Sequence, residues 1–421
     1  MATIRQRQIG VFLAISGGLL ILLLTLYPTP DQVPYTADTS LWCLVCGELG
    51  LVDVALNIVL FIPLGIGLGL MGVSWIRALL IIGLATLTIE VLQLSVVTGR
   101  DASLSDVLTN SLGGAFGLAL AHHWRRIVFT TTRASITIAA AGAAAWLLVQ
   151  EVSALALERS LPRSVYYGQW APELAQFERF TGQVLAVRLD SIALPGTRLM
   201  RSDRVREALL SPYSVLEVRA VSGHPTTDVA PIFSIFDDRQ REIILLGQDG
   251  RDLVFRVRTR TGPLGLRSPA LRLADALPEA PGTPIELRAR ARRGHFFLDA
   301  RIGGQSWSRD LALSASWGWT FLLPFDHAFG AEMPWLTMLW VGGLVLPLGY
   351  YAGRSGLIRP GIALIILLLL LAAGLVLIPA VAGFALLHPL EWVAGLGAGV
   401  GGFRLGRSSS ARASTLPLQP G

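Results

Sequence analysis

Carboxylates and amides recur in pairs at helical spacing inside otherwise apolar sequence. Glu90 and Gln93 stand in TLTIEVLQLSVVTGRD, Asp106 and Asn110 in DVLTNSLGGAFG, Asp53 and Asn57 in DVALNIVLFIPLGIGLGL, and Gln150 precedes Glu151. Residues three or four apart share one face of a helix, so each pair presents its polar groups together. An ionisable group in hydrocarbon costs roughly 2.5–3.5 kcal/mol on insertion scales, which turns it toward the bundle interior and a partner. Glu90 has two ways to meet that cost. It pairs with Arg100 in the tight Arg100-Asp101 connection, or it keeps a proton and hydrogen-bonds Gln93 or Asn110. The residues leave both open, and three uses with them: glue between helices, a ligand pocket, or acid–base catalysis by Glu90 or Asp106 with Arg100 holding a phosphate.

The other reactive side chains are few. Cys43 and Cys46 are the only cysteines, in WCLVCG. Their spacing suits a local disulfide, free thiols, redox exchange or two metal ligands. Zinc would need two more ligands, and the histidines on the same side, His224, His295, His327 and His388, show no ligand-like spacing, so no metal site is expected. Nucleophile elbow, Walker loop, dinucleotide fingerprint and zincin helix are all missing from the sequence.

What positions these residues is a membrane. Hydrophobic residues make up 52% and charged residues 15%, and the mean hydropathy is +0.56, too apolar for a soluble globule. Apolar stretches near 9–27, 54–73, 76–97, 106–122, 135–157, 334–352, 361–386 and 390–404 predict about eight transmembrane helices. The first follows Arg5 and Arg7 without a small-x-small site before Tyr27-Pro28, and reads as an uncleaved helix. Threading them alternately puts Arg77, Arg125, Arg126, Arg133, Arg354, Arg359, Arg404 and Arg407 on one side, with both termini. By the positive-inside rule that side is the cytoplasm. The expected location is the bacterial cytoplasmic membrane, with residues 158–333 outside and 406–421 a disordered cytoplasmic tail. The +6 formal charge, carried largely by those arginines, points to the bilayer and its anionic headgroups as partners and not to nucleic acid.

Glycines at four-residue spacing, Gly65 and Gly69, Gly113 and Gly117, Gly395 and Gly399, Gly397 and Gly401, mark packing faces. DVLTNSLGGAFG at 106 and EWVAGLGAGVGG at 391 echo one another, an acid followed by a glycine-rich helix. One echo does not establish a duplication.

Residues 158–333 form the expected extracytoplasmic domain between the fifth and sixth helices, with 1–157 and 334–405 as the helical parts. LVFRVRTR at 253–260 and IELRARAR at 285–292 alternate, which predicts strands with one buried and one solvated face. Asp249-Gly250 and Arg293-Gly294 read as hairpin turns. Further strands are expected near 214–221, 231–236 and 319–324, giving an antiparallel, all-β, jelly-roll-like sandwich. Arg256, Arg258, Arg260 and Arg288, Arg290, Arg292 would line a cationic surface if their strands are neighbours, or simply a solvated face. Asp237, Asp238, Asp249 and Asp252 are turn residues or calcium ligands. Trp307, Trp317 and Trp319 suit sugar stacking, a core, or a membrane interface.

The run N-x-x-L-F-I-P-L-G at 57–65, I-E-x-x-Q at 89–93, G-R-x-x-x-x-x-D at 99–106 and N-S-L-G-G at 110–114 resembles the VanZ-like membrane family over about residues 10–125. The resemblance implies a cell-envelope protein of a group linked to reduced sensitivity to teicoplanin-type glycopeptides, with recurrent polar positions at Asn57, Glu90, Gln93, Arg100, Asp106 and Asn110. The final helix, with His388, Pro389 and Glu391 ahead of its glycines, extends the likeness. The large external insert departs from the family pattern. Its strand rhythm is similar to concanavalin A-like or laminin-G-like sandwiches, which implies carbohydrate binding. The expectation is a non-enzymatic envelope protein displaying a glycan- or polyanion-binding sandwich. The alternative is a membrane enzyme acting on a lipid-linked envelope precursor.

Overall fold

A computed structural model describes residues 4–27, 45, 49–97, 103–174, 177–324, 333–385 and 389–415. The chain divides into two compact units, residues 1–130 with 264–266, and residues 131–263 with 267–421.

Four helices build the first unit: α1 (Ile4–Leu26), α2 (Gly50–Leu70), α3 (Trp75–Ser95) and α4 (Leu104–Val128). Lipid offers no hydrophobic drive for helices to associate, so close backbone packing has to hold them. The glycines supply it. A Cβ on Gly113 or Gly117 of α4 would collide with the carbonyls of Ile58 or Ile62 of α2, and one on Gly65 with the carbonyl of Gly114. On the other side of α2, Gly10 and Gly17 of α1 meet Gly67 and the Pro63-Leu64 backbone. Ile21, Phe61, Leu68, Ile82, Ile89 and Leu118 fill the core between them.

The second unit opens with α5 (Thr132–Leu157) and continues into β1 (Tyr167–Trp170), β2 (Gln183–Leu189), β3 (Ile192–Ala193), α6 (Ser202–Leu210), β4 (Leu216–Val221), β5 (Ala230–Phe236), β6 (Glu242–Asp249), β7 (Asp252–Val257), β8 (Ala270–Leu273), β9 (Pro284–Arg292), β10 (His295–Ile302) and β11 (Gln305–Ala312). It ends with α7 (Met333–Arg354), α8 (Pro360–Ala372), α9 (Ile378–Ala382) and α10 (Pro389–Thr415), with a π-helical turn at Ala373–Leu377 joining α8 to α9. Helix α10 runs past the boundary expected at 405, where Ser408 and Ser409 return their hydroxyls to the Leu405 carbonyl.

The strands pair antiparallel into two sheets, ordered β1-β5-β6-β7-β8 and β11-β10-β9-β4-β2-β3. Phe255 of the first meets Phe296 of the second edge to face, with ring centroids 6.0 Å apart. Both expected hairpins are present, and Gly250 (φ +60°) and Gly294 (φ +73°) take the left-handed conformation their turns require. The strand expected near 319–324 is instead a 3₁₀ segment, Ala315–Leu322, capped where the Ser314 hydroxyl accepts from the Ser316 N–H. The alternation expected of 253–260 also fails. Leu253, Val254 and Phe255 are all buried, because the second face of this sheet is covered too: Val254 packs with Leu245, Ala270 and Phe177.

Six helical segments among the described residues are long and apolar enough to cross a membrane: α1, α2, α3, α5, α7 and the run Pro360–Ala382. A helical membrane part carrying a β domain is thus what the chain forms. Helices α4 and α10, polar where they start and basic further on, fall outside those six, where eight were expected.

The packing of α2, α3 and α4 recurs in α7, α8 and α10. Gly65 sits on the Gly114 carbonyl, and Gly349 on that of Gly399; Gly117 sits on Ile62, and Gly402 on Leu346; Gly114 faces the Ile82 side chain, and Gly399 that of Leu367. Pro63-Leu64-Gly65 corresponds to Pro347-Leu348-Gly349. On this register Glu391 stands where Asp106 does, while Asn57, Thr86 and Asn110 are replaced by Val341, Leu371 and Gly395. The second set keeps the close backbone packing and loses the amides.

Candidate functional site

The polar residues of the first unit meet at the start of α4. Ser103 caps that helix, its hydroxyl accepting from the Ser105 N–H at 3.1 Å. Asp106, in the first turn, lies where the helix dipole favours a negative charge. The Asn57 amide of α2 donates to Asp106 Oδ1 at 2.8 Å. From α3, Glu90 Oε2 accepts the backbone N–H of Ser103 at 2.8 Å, so one carboxylate holds the residue that caps the next helix.

Of the two outcomes open to Glu90, a hydrogen bond with Gln93 or Asn110 is not found among the described residues. Asn110 Nδ2 donates to the Thr86 hydroxyl at 2.9 Å, and Gln93 Nε2 to the Thr25 carbonyl of α1 at 2.9 Å. Each amide thereby bridges two helices. Asn110 Oδ1 and Gln93 Oε1 are buried and have no hydrogen-bond partner among the described residues. The expected Glu90–Arg100 pair involves a residue outside the described ones, and Cys43 and Cys46 lie outside them as well.

Sequence reasoning missed Thr25, Thr86 and Ser103. For Ser103 a signal existed, because Ser103-x-x-Asp106 ahead of an apolar run has the form of a capping box. A threonine inside an apolar helix carries no comparable mark.

In the β domain the two arginine stripes do not join. Arg256 and Arg258 follow β6 in one sheet, whereas Arg288, Arg290 and Arg292 belong to β9 in the other. Arg256 lies over the Phe177 ring and pairs with Glu242 at 3.1 Å. Arg258 is nearly buried beside Asp237, 3.7 Å away, and Arg260 pairs with Glu158 at 2.9 Å. Arg256 and Arg258 serve the inside of the domain, whereas Arg260 is exposed. Those of β9 face outward: Arg288 pairs with Glu217 at 3.1 Å and Arg290 with Asp299 at 3.4 Å. Arg290 and Arg292 also flank the half-buried Phe297 ring at 5.1 and 5.3 Å.

Asp237 is the centre of the domain's buried charge. Its side chain has no exposed surface and receives Arg241 Nη2 at 2.7 Å and Nε at 2.8 Å, along with the N–H groups of Arg239 and Arg241. Burial alone would raise its pKa. The hydrogen bonds from the Arg241 side chain and from the Arg241 and Arg239 backbone outweigh it, and the carboxyl titrates below its ordinary value. Burial, and then the Arg241 charge, lower Arg258, with Asp237 working against them. Burial also pushes the nearby Tyr166 up to about 12. Asp249 and Asp252 both pair with Arg272, and Asp238 is exposed. The carboxylates weighed as calcium ligands are therefore neutralised by guanidinium groups already in place or point to solvent. Among the described residues no group of three or more acids, cysteines or histidines converges for a metal ion.

Residues 13–127 match the family model described as VanZ/LLP1. No curated protein and no solved structure matches the chain. The matched segment is the four-helix unit that carries Asn57, Glu90, Gln93, Asp106 and Asn110.

Proposed function

We propose, from the VanZ-like domain at residues 13–127, that the chain is a non-enzymatic protein of the bacterial cell envelope. It anchors in the cytoplasmic membrane and presents its β domain outside as a receptor for envelope glycans or anionic polymers. Arg125 and Arg126 in the last turn of α4 and Arg354 in that of α7 support this orientation through the positive-inside rule. One observation carries the binding reading: Phe297 lies on the outward face of the six-stranded sheet with Arg290 and Arg292 on its rim. An aromatic plane edged by guanidinium groups suits a sugar ring that bears carboxylate or phosphate. The concanavalin A-like rhythm of the strands fits the same class of ligand.

Titrating the full chain in detergent at low salt with soluble peptidoglycan fragments, and separately with an anionic polysaccharide, tests this. Phe297→Ala together with Arg292→Ala is expected to weaken binding at least about tenfold. No affinity of the unaltered protein for either probe would end the reading. On the same proposal, deleting the protein alters susceptibility to teicoplanin-type glycopeptides, read as the inhibitory concentration.

The placement of Glu90 on the Ser103 cap and of Asp106 in the first turn of the same helix favours a second reading, an enzyme acting on a lipid-linked envelope precursor. It demands that Glu90→Gln and Arg100→Ala abolish turnover in protein that still inserts normally.

A further inference from the structure

We propose that the second unit binds an anionic phospholipid between α7, α8 and α10, its phosphate held by Arg404 and Arg407. A cavity of about 620 Å³ lies there, walled by Leu348 of α7, Leu364 and Leu367 of α8, and Val400 and Phe403 of α10. Its polar side chains are Arg404, Arg407 and Ser408, and no acid lines it. Both arginines are exposed, and none of the ion pairs among the described residues takes up either. They stand three apart on the helix face that carries Val400 and Phe403, so charge and apolar wall are continuous.

The first unit shows what closes such a space. On the register that aligns Gly114 with Gly399, Pro360 stands where Trp75 does and Arg407 where His122 does. Trp75 and His122 pack ring against ring, with centroids 5.1 Å apart. In the second unit a proline and a guanidinium replace that aromatic plug, and the crevice stays open. Two of its three walls belong to α7 and to the Pro360–Ala382 run, both apolar enough to span a bilayer, and the third, on α10, is apolar at Val400 and Phe403 and cationic beyond them, so the cavity offers apolar walls along its length and cations at one end. Acyl chains fit the first and a phosphodiester the second, since a guanidinium fork matches phosphate oxygens and basic pockets between membrane helices collect acidic headgroups.

The full chain, reconstituted in nanodiscs of phosphatidylcholine containing a minor fraction of phosphatidylglycerol, is released into detergent and its retained lipid read by native mass spectrometry. Phosphatidylglycerol is expected to be retained over phosphatidylcholine. Arg404→Ala with Arg407→Ala should cut that preference about 25-fold, a factor of roughly five for each arginine. Arg125→Ala with Arg126→Ala, in the first unit, should leave it unchanged. Ala363→Trp keeps both arginines and fills the crevice, and should also lower retention; it serves where the double variant fails to fold. Equal retention of the two lipids, an unchanged preference in both crevice variants, or displacement of the lipid by millimolar inorganic phosphate alone would overturn the proposal.

Discussion

The Asn57 amide reaches Asp106 at 2.8 Å across the interface where Gly113 rests on the Ile58 carbonyl. The glycine creates the distance and the amide uses it. A larger residue at 113 therefore costs both the packing and the hydrogen bond. Gly113→Val is expected to destabilise the first unit by roughly 1–3 kcal/mol or more from overpacking, whereas Gly83→Ala, with open space around its Cβ position, should be neutral or slightly stabilising. Thermal unfolding in detergent, followed by helical circular dichroism, checks the contrast.

The Asn57–Asp106 bond itself is predicted to be modest. Polar contacts between membrane helices couple by about 0.6 kcal/mol on average and about 1.7 at most. A double-mutant cycle on Asn57→Ala and Asp106→Ala should fall within that range. Coupling near zero would mean that the two side chains do not meet in the folded protein.

Asp237 makes the β domain acid-sensitive in a defined direction. Its folded pKa lies below the ordinary carboxylate value, so its contribution is complete above that value and is lost as the pH falls through the folded one, below about pH 4. Asp237→Asn removes the charge facing Arg241 and Arg258. It should cost roughly 3–5 kcal/mol at neutral pH, the usual effect of breaking a buried pair from one side. It should also flatten the loss of stability on acidification. Tryptophan fluorescence during denaturant unfolding at pH 7 and pH 3.5 measures both; an equal slope in the two proteins would contradict the assignment.

The two arginine stripes should separate in the same assay. Arg258→Ala removes a nearly buried guanidinium beside Asp237, which keeps Arg241, and is expected to cost more than Arg288→Ala, which breaks an exposed pair with Glu217 and should stay within about 1 kcal/mol. Similar costs at both positions would mean that the first stripe is solvated after all.

Which of these features the sequence made legible depends on how local their causes are. The helices were readable because a bilayer demands a length, and the hairpins because Gly250 and Gly294 mark the residues that must take positive φ. Spacing placed Asp53 with Asn57 and Asp106 with Asn110 on shared faces. It said nothing about which helix each face meets, so Asn110 pairs with Thr86 and Gln93 with Thr25, partners with no sequence mark. Arg256 and Arg258 were misjudged for a similar reason, whereas Arg260 is solvated. A period of two identifies two faces of a strand, and only tertiary structure shows that Phe177 covers the second. A strand was expected near 319–324, yet Ser314 caps a 3₁₀ segment over Ala315–Leu322 and Trp319 donates to Thr337 at 3.2 Å.

The recurrence of the glycine packing yields a last prediction. Val341 occupies the place of Asn57 and Glu391 that of Asp106, and Glu391, 3% exposed, has one carboxylate oxygen with no hydrogen-bond partner among the described residues. An asparagine at 341 should therefore find an acceptor one helix away, as Asn57 does. One turn along, Val345 is equally buried, and no acid of α10 aligns with it. An amide there is left unsatisfied, at a cost of about 1–3 kcal/mol. Val341→Asn should accordingly be the milder substitution, and adding Glu391→Met to it, which removes the acceptor, should erase the advantage. Thermal midpoints of the two single variants and the double variant decide the matter; a Val341→Asn protein no more stable than Val345→Asn would break the correspondence between the two helical sets at the residues where it matters most.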